Sequence, residues 1–214
     1  MTSQTDVRQL VDFITAELPR DSWTPWPGGW PDQIEAALID AVLSISAKYG
    51  SETNGVRGAV ARYRAEVDSD RPNDLARLAG QDPEQLQVVL NNNQKVSGRT
   101  KASALVEAAN NLLCQGVKSA ADVDPHNPDQ KKAYTDVHGL GWVTWEYFGM
   151  LLGKPGIKAD RWIVRFAGRA LGRDVTATEA KALLFEAAAE LEATPTELDH
   201  AIWAHERDLR VPPL

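Results

Sequence analysis

Apolar residues recur at three- and four-residue intervals almost from the start of this chain. In TDVRQLVDFITAE (residues 5–17), Val7, Leu10, Val11 and Ile14 fall on one helical face. SWTPWPGGWPDQ then gathers three Trp and three Pro into a stretch no regular element tolerates. Pro31 suits the first position of the next helix, which should extend to about Lys48. Asn54 is placed to cap a helix over 55–66, Asn73 and Asp74 to start a short one near 74–79, and Pro83 to open another toward Leu90. Residues 99–115 read as a long helix with Ala102, Leu105, Val106, Ala109, Leu112 and Leu113 inward. After the loop DVDPHNPD come helices over 129–136, 142–152 and 161–171. TATE (176–179) and TPTE (194–197) each fit a capping box opening a terminal helix. No alternating strand pattern persists and no repeat period appears, so the expected class is all-α.

Composition narrows the setting. Apolar residues at 43% and charged residues at 25% suit a soluble globular chain, either one domain or two small lobes. No run approaches the ~18 apolar residues of a membrane span, and MTSQTDVRQLVDF lacks the apolar core of a signal peptide. A cytoplasmic monomer is expected, with no membrane partner. The single cysteine, Cys114, excludes an internal disulfide and a four-cysteine iron–sulfur site; within ANNLLCQG it reads as a core residue. The four histidines show no metal-ligand spacing.

Charge is unevenly spread. The net −7 divides into −6 over residues 1–94, +5 over 95–173 and −6 over 174–214. A basic middle is either a footprint for a polyanion or an ordinary clustering of surface charge.

The chemistry-bearing stretch is YTDVHGLGWVTWEYFGMLLGKPGIKADRWIVRFAGRALG. A short helix ends at HGLG and another begins at once. Gly139 and Gly141 allow a tight turn, leaving the next helix's first N–H groups free for a phosphate. Downstream, Asp160 lies between Lys158 and Arg161 at a helix start. It reads as an N-cap, as a catalytic carboxylate, or as both.

This arrangement resembles the helix-hairpin-helix DNA glycosylases, the superfamily of endonuclease III and the alkyladenine glycosylases. Their hairpin, roughly L-P-G-[VI]-G-x-x-T-A, is matched by Val137-His138-Gly139-Leu140-Gly141-Trp142-Val143-Thr144-Trp145. Their catalytic segment, roughly V-D-T-H-[VI]-x-R, is matched by Ala159-Asp160-Arg161-Trp162-Ile163-Val164-Arg165. IDAVLSISAKYGSETNGVRGAVARYR is similar to the superfamily's early helix pair, GRTKASALVEAANNLL to its Y-x-x-K-A helix, and ELDHAIWAHERDL to its last helix. The resemblance covers about residues 30–210 in order.

It implies a two-lobed helical bundle, with residues 36–128 as a central lobe. Residues 1–35 with 129–214 would form the second, carrying the hairpin (129–152) and the aspartate. It implies that Asp160 is catalytic and that double-stranded DNA with a flipped base is the partner. Gly139, Gly141, Val143 and Thr144 would contact phosphate through the backbone. Arg99, Lys101, Lys158, Arg161 and Arg165 are further candidate DNA contacts, each with a reading as a solvated charge. About three to five neutralised phosphates are expected. The carbonyls of Thr135, Val137 and Leu140 would hold a monovalent cation, K+ or Na+; no catalytic cofactor and no iron–sulfur cluster are implied. Trp26, Trp30, Trp142, Trp145 and Trp203 are candidates for a base pocket or for the core. Asn93 or Gln94 is placed to fill the gap left by a flipped nucleotide.

The departures are specific. Val143 stands where bifunctional members carry a lysine, so no Schiff base forms there and any activity is monofunctional. His138 replaces the hairpin proline, Arg161-Trp162 the Thr-His, and Trp145 a small residue. The expected activity is hydrolysis of the N-glycosidic bond of a damaged or modified base in DNA. The rivals are a non-catalytic DNA-binding module and a protein acting on a hypermodified base or a free nucleoside.

Overall fold

The computed structural model describes residues 3–47 and 53–209. Among the described residues, eleven α-helices are joined by loops, two 3-10 turns and one short hairpin of strands, so the fold is all-α. They form two compact units, Gly28–Lys154 and Met1–Pro27 with Pro155–Leu214. The expected lobe boundaries at 35 and 128 are displaced. Two helices from the hairpin region pack on the central helices, which draws residues 129–154 into the larger unit.

The larger unit is built around α2 (Ile34–Leu43), buried at every position. A helix covered on all sides must be apolar or carry paired polar groups. α3 (Gly55–Glu66), α4 (Leu75–Ala79), α6 (Lys101–Cys114) and α8 (Trp142–Leu151) all pack on α2. α5 (Pro83–Leu90) lies against α3 and α6, and α7 (Pro128–Thr135) against α6 and α8. The two acids of α2 are paired. Glu35 accepts from the Tyr63 hydroxyl (2.8 Å), Arg77 Nε (2.8 Å) and Nη2 (2.9 Å), and the Asp74 N–H (2.8 Å). Asp40 accepts from Trp30 Nε1 at 2.8 Å and the Tyr147 hydroxyl at 3.3 Å.

α2 does not start at Pro31. Pro31 and Asp32 form a turn, and the Ile34 N–H is met by Asn73 Oδ1 at 3.2 Å, so a residue 39 positions away sets the helix start. Regular helix ends at Leu43; the expected end at Lys48 lies outside the described residues.

The smaller unit contains α1 (Gln4–Glu17), α9 (Arg161–Leu171), α10 (Ala177–Glu190) and α11 (Pro195–Asp208). α9 buries Ile163, Phe166, Ala167, Ala170 and Leu171, a complete helical stripe, and ends at Gly172 with φ +66°. Phe13 of α1 meets Phe166 edge-on at 5.3 Å. Glu206 of α11, fully buried, lies 3.2 Å from both Arg165 and Arg169. The capping box at Thr194 and Glu197 forms as expected. At Thr176 only half of it forms: the hydroxyl accepts the Glu179 N–H, but the Glu179 carboxylate takes Arg173 instead.

Two further expectations change. Residues 99 and 100, expected to open the long helix, instead form the second strand of a hairpin, β1 (Lys95–Val96) against β2 (Arg99–Thr100), turned by Ser97 (φ +47°) and Gly98 (φ +86°). Cys114 is exposed rather than core, because the buried face of α6 runs through Ala102, Leu105, Ala109 and Leu112.

Candidate functional site

The lead-in to α9 is an extended segment with alternating burial. Ile157 and Ala159 are buried at 0% and 1%, which turns Lys158 and Asp160 the other way. α11 straps it down: the Gly156 N–H donates to Thr196 Oγ1 at 3.1 Å and the Lys158 N–H to Asp199 Oδ1 at 2.8 Å. Asp160 then caps α9, its Oδ1 accepting the Trp162 N–H at 2.8 Å and the Ile163 N–H at 3.4 Å. Its other oxygen, Oδ2, faces Lys158 Nζ at 3.6 Å, and both side chains keep 20% of their surface exposed. The cap leaves one carboxylate oxygen outside the helix.

Beside this segment stand two groups that sequence reasoning passed over. Asp199 is 3% exposed; burial, then the nearby Asp160 charge, push its carboxyl up to about 7, against the pull of Lys158. His200 is pushed down to about 4 by burial and by the charges of Arg207 and Lys158, so it is a neutral imidazole near pH 7. The His200 ring lies between Trp26 (5.2 Å, edge-on) and Trp203 (5.6 Å, stacked), and the Arg207 guanidinium covers Trp203. The sequence held a signal: Asp199 and Glu206, seven apart, share the side of α11 that buries Leu198, Ala201 and Ile202.

The larger unit carries the hairpin. α7 leads through a turn, in which the Leu140 N–H donates to the Val137 carbonyl (2.9 Å), to Gly141 at the head of α8. Thr144 Oγ1 donates to the Gly141 carbonyl at 2.7 Å and accepts the Gly141 N–H at 3.3 Å, which fixes the first turn. Gly141 is exposed, Val143 and Thr144 are half-buried, and a side chain on Gly141 would meet nothing within 4 Å. Gly139 differs. Its φ is +97°, and an added Cβ would lie 2.8 Å from Val96 Cγ2 and 3.0 Å from Ser97 Oγ. The β1–β2 turn leaves no room for a side chain at Gly139.

Several candidate contacts have partners within the protein. Lys101 is 2% exposed; its Nζ donates to the Leu43 (2.9 Å) and Ile45 (2.7 Å) carbonyls and to Gln94 Oε1 (2.6 Å). Burial pushes its ammonium down to about 8. It caps the C-terminal end of α2. Arg99 donates to Ser103 and pairs with Glu107, and Arg165 pairs with buried Glu206. Arg161 is exposed, with its guanidinium over Trp162. Gln94 is held by Lys101, and Asn93 accepts from Gln87.

The tryptophans also separate. Trp145 is a core residue with no exposed surface; its Nε1 donates to the Pro125 carbonyl, and its ring packs on Tyr134 and Phe148. Trp30 is half-buried, covered by Arg64 and bonded to Asp40. Trp142 is half-buried with Lys131 over its ring. Trp26 and Trp203, both against His200, are the candidates that share a unit with Asp160.

The fold that carries these features is all-α and endonuclease III-like. The chain is similar to a solved structure of endonuclease III trapped in a covalent intermediate with DNA, an estranged-adenine complex. The TM-score is 0.57 at 18% identity, covering 94% of this chain and 85% of that one. No curated protein matches the sequence. The chain belongs to the family described as Domain of unknown function (DUF8548), whose model matches residues 8–207.

Proposed function

We propose that this protein is a DNA N-glycosylase of base-excision repair that hydrolyses the N-glycosidic bond of a damaged or modified base, without a lyase step. The observation that carries the proposal is Asp160, capping α9 through one oxygen while the other faces outward beside Lys158. As the bond between sugar and base breaks, the base leaves with the bonding pair and positive charge builds on the sugar. A fixed carboxylate stabilises that charge and accepts the proton of the water that adds to the sugar carbon. Val143 offers no amine to trap the sugar.

The head of α8, with Gly139, Gly141, Val143 and Thr144, would seat a DNA phosphate at the positive end of the helix, where the Gly141 and Thr144 N–H groups are already engaged within the first turn. The carbonyls of Thr135, Val137 and Leu140 are neutral hard oxygen donors in one turn, a set that suits K+ or Na+. A cation there would add positive charge beside the phosphate. Trp26 and Trp203, around a neutral His200, are the aromatic surface for an extruded base.

A reading as a nucleosidase on a free or hypermodified nucleoside is favoured by one observation. Arg99, Lys101 and Arg165 spend their charge inside the protein. A panel of duplexes carrying single lesions, scored for base release beside the free nucleosides, tests the proposal. Release from at least one duplex, with nothing trapped by borohydride, is expected. Release from free nucleosides alone would select the second reading.

A further inference from the structure

We propose that Asp199 is a positioning residue of the Asp160 site, a buried carboxylate that pins the segment leading into α9 through the Lys158 N–H and bears by its charge on the Lys158–Asp160 pair. The inference rests on the functional reading above.

Asp199 is 3% exposed and accepts the Lys158 N–H at 2.8 Å, two residues before Asp160. Lys158 Nζ reaches Asp160 Oδ2 at 3.6 Å. Two carboxylates thus bear on one lysine, one through its backbone and one through its side chain. With Asp199 protonated, Lys158 answers to Asp160 alone. With Asp199 ionised, a second negative charge stands behind Asp160 and bears on the Lys158–Asp160 pair. A sugar cation forming at Asp160 would feel both changes in the same direction. Asp199 is placed to act through Asp160, not on the substrate.

The ionisable surroundings are few. Lys158 and Asp160 come from the lead-in to α9, and neutral His200 follows on α11. Glu197 with Arg20 stands at the first turn of α11, and Arg207 lies two turns on. α9 directs Arg165 and Arg169 to Glu206, two turns away. α10 buries Ala180, Leu183, Leu184, Ala187 and Ala188, none of them ionisable.

Asp199→Asn keeps an oxygen for the Lys158 N–H and removes the charge; Asp199→Ala removes both. Single-turnover base release is to be measured from pH 5.5 to 8.5 on whichever duplex the lesion panel identifies. The wild type should speed up roughly two- to tenfold through pH 7, the range for one partly screened charge. Asp199→Asn should lose that limb, and Asp199→Ala should be slower at every pH. Parallel profiles in wild type and Asp199→Asn would overturn the inference. A second readout needs no turnover: the backbone amide resonance of Lys158 should titrate with a midpoint near 7 in the wild type and not in Asp199→Asn. A Lys158 amide that does not titrate overturns the inference. A titrating amide without base release overturns the functional reading instead.

Discussion

Lys101 shows how a single residue changes meaning between sequence and structure. At the first position of a helix it reads as a surface charge. Its three acceptors lie 7, 56 and 58 positions away, and no local pattern brings them together. Lys101→Met should therefore destabilise the fold by about 1–3 kcal/mol, since it leaves buried acceptors unmet. Urea unfolding measures this, and an unchanged midpoint would return Lys101 to the surface. Asp199 and His200 make an opposed pair in pH. Asp199 folded holds its proton up to about 7, but unfolded releases it near 3.8, so its contribution to stability is lost as pH rises between those values. His200 titrates near 6.5 unfolded and about 4 folded, so its contribution is lost as pH falls between them. Urea melts from pH 4 to 8 should show the two largely cancelling in the wild type. Asp199→Asn should unmask the His200 limb, a rise in stability from pH 4 to 6.5 of roughly 1–3 kcal/mol. A flat profile in that variant would contradict the assignment. Asp160 was legible in the sequence as a cap. The buried partner behind its segment was not, because Asp199 is tied to that segment only through space.

At the scale of elements, the helices were written plainly in the three-four periodicity, and α9 carries its stripe without a break. The caps at Asp74, Asp82, Thr176 and Thr194 follow side-chain chemistry that is local and so readable. What escaped was set at a distance or was too short to have a period. The start of α2 depends on Asn73, and strands of two residues cannot alternate. The β1–β2 turn also gives Gly139 its reason. Gly139→Ala should destabilise the larger unit by about 1–3 kcal/mol, through the Val96 and Ser97 contact and the positive φ. Gly141→Ala, with open space around it, should leave the melting temperature nearly unchanged. The opposite order in thermal melts would show that the turn does not fill that space.

For the whole molecule, the fold class and the order of its landmarks could be read from the chain, while the grouping into units could not. The +5 of residues 95–173 suggested a footprint for DNA, but Arg165 and Arg169 pair with Glu206, and Arg173 with Asp6 and Glu179, acids that lie outside that stretch. Fewer cations remain for phosphate than the charge sum implied. A log–log salt slope of about −2 to −3 is expected for duplex binding. Arg161→Ala should flatten it by roughly one unit, and Arg99→Ala should not. A slope that flattens with Arg99 and ignores Arg161 would mean the paired arginine opens onto DNA.

The central claim is that Asp160 performs the chemistry of this fold. Asparagine caps helices about as well as aspartate, so Asp160→Asn should keep α9 and the fold while removing the charge. The decisive measurement is base release by wild type and Asp160→Asn on the same lesion-bearing duplex, with affinity measured alongside. The account predicts release by the wild type, loss of at least 100-fold in the variant, and affinity within a few-fold, since the lost stabilisation acts only in the transition state. Equal release by the two proteins would place the chemistry elsewhere.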